Sequence, residues 1–226
     1  MNKENDIFKK PLNNTNELLE RCKMIEGLSF SQLASLIQLT IPSLPSQRKG
    51  WAGLAMELAL GTTAGNKAVP DFEHLQIELK TIPLNTRGKP AESTFVTSIS
   101  LLTIHREQWL SSVCYKKLKH ILWVPIEGDK NIPFEQRRIG HPFLWSPSYE
   151  EEQVLAQDWL DLSQMIGMGR LEEINASMGE YLQVRPKAAN KLSLCYCFDN
   201  EGNKVLTLPR GFYLRTAFTE KILASM

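Results

Sequence analysis

The chain has 226 residues, 42% of them hydrophobic and 23% charged, with a formal net charge of +1. That length can bury one substantial core, organised as one domain or two, and the composition is ordinary for a globular chain. Every apolar run is broken by charge, Gly or Pro before it could span a bilayer. The segment Met1–Lys10 is polar and mixed in charge, with no apolar stretch or small-residue cleavage site behind it, so a cytoplasmic protein without a membrane role is expected. Four cysteines scattered over so large a chain are not a disulfide framework. Cys195-Tyr196-Cys197 is too tight for a zinc knuckle and reads as alternating residues of a strand.

A near-neutral total argues mildly against a partner rich in phosphate, but distribution matters more than the sum. Between Tyr149 and Asp161 stand five acids (Glu150, Glu151, Glu152, Asp158, Asp161) and no base; without them 25 acids become 20, against 26 bases. The bases cluster at Arg48-Lys49, Lys116 to His120, Arg137-Arg138, Arg185 to Lys191 and Arg210 to Arg215. A polarised surface with a basic cleft fits this pattern, and so does ordinary solvated charge.

Taken in order, Asn16 to Ile25 and Ser31 to Leu39 carry apolar residues at helical spacing, with Thr15 and Ser29 available as caps. Residues 1–15 ahead of them are expected to be flexible. Gly53 to Leu60 reads as a short apolar helix stopped by Gly61, with Glu57 its only charge. Gly61 to Gly65 is a helix stop and turn and lacks the Gly-Lys-Ser/Thr that a nucleotide-binding loop requires. Leu75 to Lys80 and Thr94 to Ser100 read as strands, and the turn-forming Asn85 to Pro90 between them predicts a hairpin. His120 to Ile126 has the near-continuous apolar run of a central strand buried on both faces. Pro147-Ser148 introduces a helix that runs to Gly167, with three glutamates in its first turn where the helix dipole favours them. The last third alternates short strands with loops, notably Gln183 to Lys187 and Leu208 to Tyr213, before a closing helix from Thr219. The order predicts an α/β or α+β fold in which helices flank a mixed central sheet.

The most informative constellation is Asp71, six residues, then Glu78-Leu79-Lys80. On an extended strand Glu78 and Lys80 share a face, and a turn upstream can bring Asp71 to the same spot. Two carboxylates and an ammonium at a sheet edge are the parts of metal-assisted phosphodiester hydrolysis. The acids bind a hard divalent ion through oxygen, the ion lowers the pKa of a bound water, and the lysine orients that water or offsets developing charge. The pattern alone is not specific; a solvated strand with incidental Glu and Lys produces it too. Nearby residues strengthen it. Glu57 is a lone acid on an apolar helix, where burial without a partner is costly. Lys49 precedes that helix, and Lys117 precedes the central strand.

Across a longer span, Lys49-Gly50-Trp51, Glu57, Asp71-Phe72 and Glu78-Leu79-Lys80-Thr81-Ile82-Pro83 resemble the MutH family of mismatch-repair endonucleases. So do Lys117-Leu118-Lys119, Leu144-Trp145-Ser146-Pro147, Gly179-Glu180-Tyr181-Leu182-Gln183, Arg185-Pro186-Lys187-Ala188-Ala189-Asn190 and Leu206 to Leu214. The likeness runs from about Leu18 onward. It implies a restriction-endonuclease-like fold, a single endonuclease domain over 1–226 with two lobes around a DNA-binding cleft. It implies a monomer that uses Mg2+ to nick the unmethylated strand at hemimethylated GATC, 5′ of the guanine, activated by MutL after MutS finds a mismatch. Glu57, Asp71, Glu78, Lys80 and Lys117 fall on the family's catalytic positions, with Asp71, Glu78 and Glu57 as metal ligands, and Lys49 matches a lysine near the DNA.

On the residues alone, Arg185-Pro186-Lys187 reads as a turn proline with surface charges, and Tyr213 as a tyrosine buried on a final strand. The resemblance reverses both: in the family the Arg of this loop and this Tyr are associated with recognition and methylation sensing, which makes Arg185, Pro186, Lys187 and Tyr213 DNA-binding candidates. A guanidinium held by a rigid proline suits a groove edge, and a ring in the major groove can meet the N6-methyl of adenine by contact. Phe95 is a further DNA-contact candidate, with a core position as its alternative. Two other functions stay open on the residues: a type II restriction enzyme cutting both strands, and a site-specific DNA-binding protein with a dead catalytic centre.

Overall fold

The structure, a computed structural model, describes residues 12–62, 68–188 and 190–225. The expected flexible N-terminus falls, over residues 1–11, outside the described residues, as does most of the Gly61–Gly65 turn. From Leu12 the chain is packed: Leu12 is buried in the core, and Asn13 N–H donates to the Glu17 carboxylate at 2.9 Å. Among the described residues the chain forms two compact units, one drawn from Met1–Glu92 and His120–Trp145, the other from Ser93–Lys119 and Ser146–Met226.

In the first unit, capping chemistry sets the helix starts. Helix α1 (Thr15–Ile25) is capped by Asn14, whose side-chain oxygen accepts the Glu17 N–H, and not by the expected Thr15. Helix α2 (Phe30–Ile37) is capped by Ser29 in a reciprocal box with Gln32. Helix α3 (Trp51–Leu60) ends at Gly61, which takes the left-handed conformation glycine adopts without strain. The buried Arg21 of α1 donates to the Leu60 carbonyl at 3.2 Å, satisfying one of the acceptors that the end of α3 exposes.

These helices pack on a three-stranded sheet of order β1-β3-β4, formed by β1 (Glu78–Leu84), β3 (Ile121–Glu127) and β4 (Phe143–Trp145). Strand β3 is central and buried along nearly its whole length, as its apolar run predicts. Leu18, Ile25, Leu33, Met56 and Leu60 meet Leu79, Leu122 and Val124 in one core. Each such side chain contributes about 1.5–3 kcal/mol on burial, enough in sum to hold a buried carboxylate at the start of β1.

The predicted hairpin is not formed. Asn85 does close a turn, its side chain accepting the Arg87 and Lys89 N–H groups at 2.9 and 3.2 Å. The return meets β1 only at the Leu84–Pro90 bridge, where Ala91 N–H donates to the Pro83 carbonyl at 2.8 Å and Asn85 N–H to the Lys89 carbonyl at 2.9 Å. Pro83 has no N–H with which to return a bond to Ala91 and continue the ladder. Strand β1 pairs in parallel with β3, while β2 (Thr94–Ser98) belongs to the second unit.

That second unit holds a three-stranded sheet of order β2-β8-β5, with β5 (Leu182–Pro186) and β8 (Arg210–Leu214), and a two-stranded ribbon of β6 (Cys195–Phe198) and β7 (Lys204–Thr207). The architecture is thus mixed α/β with several small sheets among the described residues, where one central sheet was expected. Helix α4 (Val113–Leu118), unforeseen in the sequence, is capped by Ser112. Helix α5 (Tyr149–Gly167) starts as predicted, Ser148 and Glu151 forming a capping box. Helix α6 (Thr216–Ala224) begins a turn earlier than its apolar pattern suggests.

The two segments read as loops are largely strand, Gln183 to Pro186 lying in β5 and Arg210 to Tyr213 in β8, with Lys187, Leu208 and Pro209 outside them. Pro186 and the Pro209-Arg210-Gly211 run are the reason they read otherwise. Pro186 is tolerated because it closes β5, an edge strand of its sheet.

Asp158 anchors the start of β5. It is 8% exposed on α5, and its carboxylate accepts the N–H groups of Glu180, Tyr181 and Leu182 at 2.6–3.0 Å. Three successive N–H groups around one anion make a backbone nest. Asp158→Ala should lower the unfolding free energy by about 2–4 kcal/mol, since it strands these donors. Urea denaturation checks it, and a loss below about 1 kcal/mol would show the nest is not what holds β5.

Candidate active site

The spacing between Asp71 and Glu78 is a closed loop. Phe72 and Ile77 pair antiparallel, Phe72 N–H donating to the Ile77 carbonyl at 2.9 Å and Ile77 N–H returning at 3.3 Å. Between them runs a 3-10 turn, Glu73–Leu75, and Gln76 in the left-handed region. The strand expected from Leu75 therefore starts only at Glu78. Closing the loop sets Asp71 beside the start of β1, and its Oδ2 accepts the Leu79 N–H at 2.8 Å.

Parity does the rest. Leu79 turns into the core, and Glu78 and Lys80 lie on the other face, where the Lys80 ammonium donates to Glu78 Oε1. Their side chains are 1% and 14% exposed. Glu78 also opens the parallel ladder, its N–H donating to the His120 carbonyl at 3.0 Å and its Cα registering with Ile121.

Glu57 lies half-buried in the last turn of α3. Thr62 ties that turn to the acidic loop. Its N–H donates to the Glu57 carbonyl at 2.9 Å and its hydroxyl to the Asp71 carbonyl. The sequence reading missed Thr62; the signal available was a small hydroxyl residue directly after a glycine helix stop.

The structure thus brings Asp71, Glu78 and Lys80 together and links Glu57 to them through backbone. Lys49 is exposed immediately before Gly50, the N-cap of α3. Lys117 is buried in α4 of the second unit. Among the described residues no three His, Cys, Asp or Glu side chains stand close enough to hold a metal ion. The local donor set is two carboxylates with hard oxygen atoms. That suits Mg2+, which takes one or two carboxylates and completes its shell with water and phosphate.

The DNA-recognition candidates gather on one face of the β2-β8-β5 sheet. Directly opposed residues of antiparallel strands share a face, and the register opposes Tyr213 to both Gln183 and Phe95, and Arg185 to Gly211. Phe95 and Tyr213 meet edge to face with centroids 5.3 Å apart. The Arg185 guanidinium lies 5.9 Å from the Tyr213 ring and donates to Ser93 Oγ at 2.6 Å. The Lys187 ammonium stands 4.2 Å over Phe95. Pro186 is exposed beside them and registers with Arg210. The opposite face, with Leu182, Phe212, Leu214 and Val96, is buried.

The four cysteines are free thiols. Burial pushes the Cys22 thiol up to about 12 and raises Cys114, Cys195 and Cys197 as well, so none supplies a ready thiolate nucleophile.

An α/β protein with two acids and a lysine at the head of a buried strand has the donor set of the metal-dependent nucleases. Comparison with known proteins makes the assignment definite. Residues 60–158 match the family model described as the DNA mismatch repair enzyme MutH. The DNA mismatch repair protein MutH of Shewanella sp. (strain MR-4) is 45% identical over 213 residues, 94% of this chain and 96% of that protein. Its namesakes in Vibrio campbellii and Shewanella oneidensis are 47% and 44% identical over 207 and 213 residues, covering 92% and 94% of this chain and 92% and 96% of their own lengths. The chain belongs to the MutH family of DNA mismatch repair endonucleases.

Thr62→Val keeps the shape of the side chain and removes only its hydroxyl. It should cost about 1–2 kcal/mol of stability, because the Asp71 carbonyl loses this donor. Melting and urea curves measure this, and an unchanged stability would show that the contact between α3 and the acidic loop is weak.

Proposed function

We propose that this protein nicks the unmethylated strand at hemimethylated GATC, 5′ of the guanine, in a Mg2+-dependent reaction that MutL activates once MutS has found a mismatch. The observation that carries the reading is the joining of Asp71, Glu78 and Lys80 at the head of β1, in a chain about 45% identical to MutH proteins over 94% of its length. In this reading the fold is restriction-endonuclease-like and the two units are the lobes of one monomeric endonuclease domain. The first unit carries Lys49, Glu57, Asp71, Glu78 and Lys80. The second contributes Lys117 and the DNA-reading face.

Asp71 and Glu78 would hold the ion, with Glu57 as a third carboxylate on the neighbouring turn. When bound, Mg2+ supplies an acidified water and neutralises charge on the scissile phosphate. Asp71 arrives preorganised, because its second oxygen is already fixed by the Leu79 N–H. Lys80, in hydrogen-bond contact with Glu78, is an ammonium with three N–H donors. It can orient the attacking water and offset the charge that grows on the phosphate oxygens. Lys117, buried in α4, falls on a further catalytic position of the family by resemblance. On the second unit, Arg185 and Lys187 meet the groove and backbone, Phe95 gives a flat apolar contact, and Tyr213 packs against the adenine methyl of the methylated strand.

Cleavage of GATC duplexes that are unmethylated, hemimethylated and fully methylated, with MutL and MutS present, tests this directly. Cutting confined to the unmethylated strand of the hemimethylated duplex is expected, with open circles from supercoiled plasmid. Immediate linear product would point to a double-strand cutter, and no cutting in Mg2+ to a DNA-binding protein.

Asp71→Ala and Glu78→Ala should each cut the rate by more than about tenfold, because ligands of this kind contribute several kcal/mol to the transition state. Single-turnover rates at saturating duplex read this, and either variant retaining more than a tenth of the parent rate would remove that residue from the metal site. Tyr213→Ala should narrow the preference for hemimethylated over unmethylated GATC several-fold, since one apolar methyl contact is worth roughly 1 kcal/mol. Parallel rates on the two duplexes check it. A uniform slowing of both would make Tyr213 a general contact.

A further inference from the structure

Gly211 lies buried in β8, on the same face as Phe95, Arg185 and Tyr213. Its backbone is not in the left-handed region that calls for glycine. Space explains it instead. A Cβ at this position would stand 2.8 Å from Phe95 Cε2 and 3.4 Å from Cδ2, with the Thr97 carbonyl oxygen at 3.0 Å. Carbon atoms pack at about 3.5–4.0 Å, so the ring and a side chain at 211 cannot both occupy this spot.

The Phe95 ring therefore leans along β8 into the gap where Gly211 has no side chain. There it meets the edge of Tyr213, and the Lys187 ammonium sits over it. A bulge in β2, between Phe95 and Thr97, shifts the register just after the ring's attachment point.

We propose that Gly211 is a positioning residue for DNA recognition: its missing side chain is the seat of the Phe95 ring, and the ring in turn places Lys187 and braces Tyr213. This rests on the reading of that face as the DNA-contact surface. A glycine can set specificity here without touching DNA, because a methyl group at 211 would lift the ring and release the cation above it.

A double-mutant cycle on Gly211→Ala and Phe95→Ala tests the idea, with binding of a hemimethylated GATC duplex measured in EDTA so that nothing is cut. Gly211→Ala should weaken binding by about fivefold, the scale of one exposed cation–ring contact. Phe95→Ala should weaken it similarly, and the double variant should bind no worse than Phe95→Ala alone. For Gly211→Ala the loss should fall on affinity, with single-turnover cutting at saturating duplex within about twofold of the parent. Additive losses, or parent-like binding by Gly211→Ala, would overturn the proposal.

Should Gly211→Ala melt too low for binding assays, melting temperatures decide. Emptying the seat in the double variant should raise the melting temperature above that of Gly211→Ala alone; a failure to rise means the glycine makes room for something else. If Phe95→Ala binds as tightly as the parent while the melting coupling persists, the packing stands. The proposal then falls with the DNA-contact reading beneath it.

Discussion

The hydrogen bond from Leu79 N–H to Asp71 Oδ2, at 2.8 Å, is the constraint on which the site depends. It joins the start of the acidic loop to the second residue of β1, whose head is buried, so the Asp71 carboxylate is fixed by a backbone donor. The loop can do this because its ends, Phe72 and Ile77, are paired and buried. Six residues span the distance in a 3-10 turn with one left-handed residue, and the spacing is therefore a length measured by the fold. Ile77 and Leu79, in the core on either side of Glu78, offset the cost of placing that carboxylate where it is 1% exposed.

The same logic, a charged or polar group fixed by backbone donors, recurs in the second unit. Asp158 gathers three consecutive N–H groups and so sets where β5 begins, at Leu182, three residues before Arg185. Helix α5, capped at one end by Ser148 and Glu151, is thereby coupled to the strand that carries Arg185. Phe95, Tyr213 and Arg185 come from three different strands and Lys187 from just past the end of β5, yet ring and cation contacts of 4.2–5.9 Å hold them as one surface before any ligand arrives. Preorganisation of this kind lowers the ordering cost of binding, because long cationic side chains lose much of their rotamer freedom beforehand.

Burial also separates residues that chemistry uses from those that only pack. The cysteines are silenced by desolvation, and the alternation of Cys195 and Cys197 belongs to a strand of a small ribbon. Among the described residues no helix is long and apolar enough to cross a membrane. The acidic first turn of α5 is accounted for in part by capping, with Glu151 also paired to Lys221 at 3.0 Å.

By itself the sequence determined those features that depend on residues a few positions apart. The Ser29 and Ser148 caps, the Gly61 stop, the apolar run of β3 and the shared face of Glu78 and Lys80 all follow from periods of two or 3.6 and from side chains within one turn. Tertiary structure decided which strands are neighbours. Local signals around Asn85 and Pro90 describe a turn but cannot say that β1 will pair with β3 some forty residues on, or that β2 will pair with β8 near the end of the chain. Proline and glycine read locally as loop signals, although Pro186 closes an edge strand and Gly211 makes room for a ring. The roles of Thr62, Asp158 and Gly211 were out of reach for the same reason: each is defined by a partner distant in sequence, and only the packed chain brings that partner within reach.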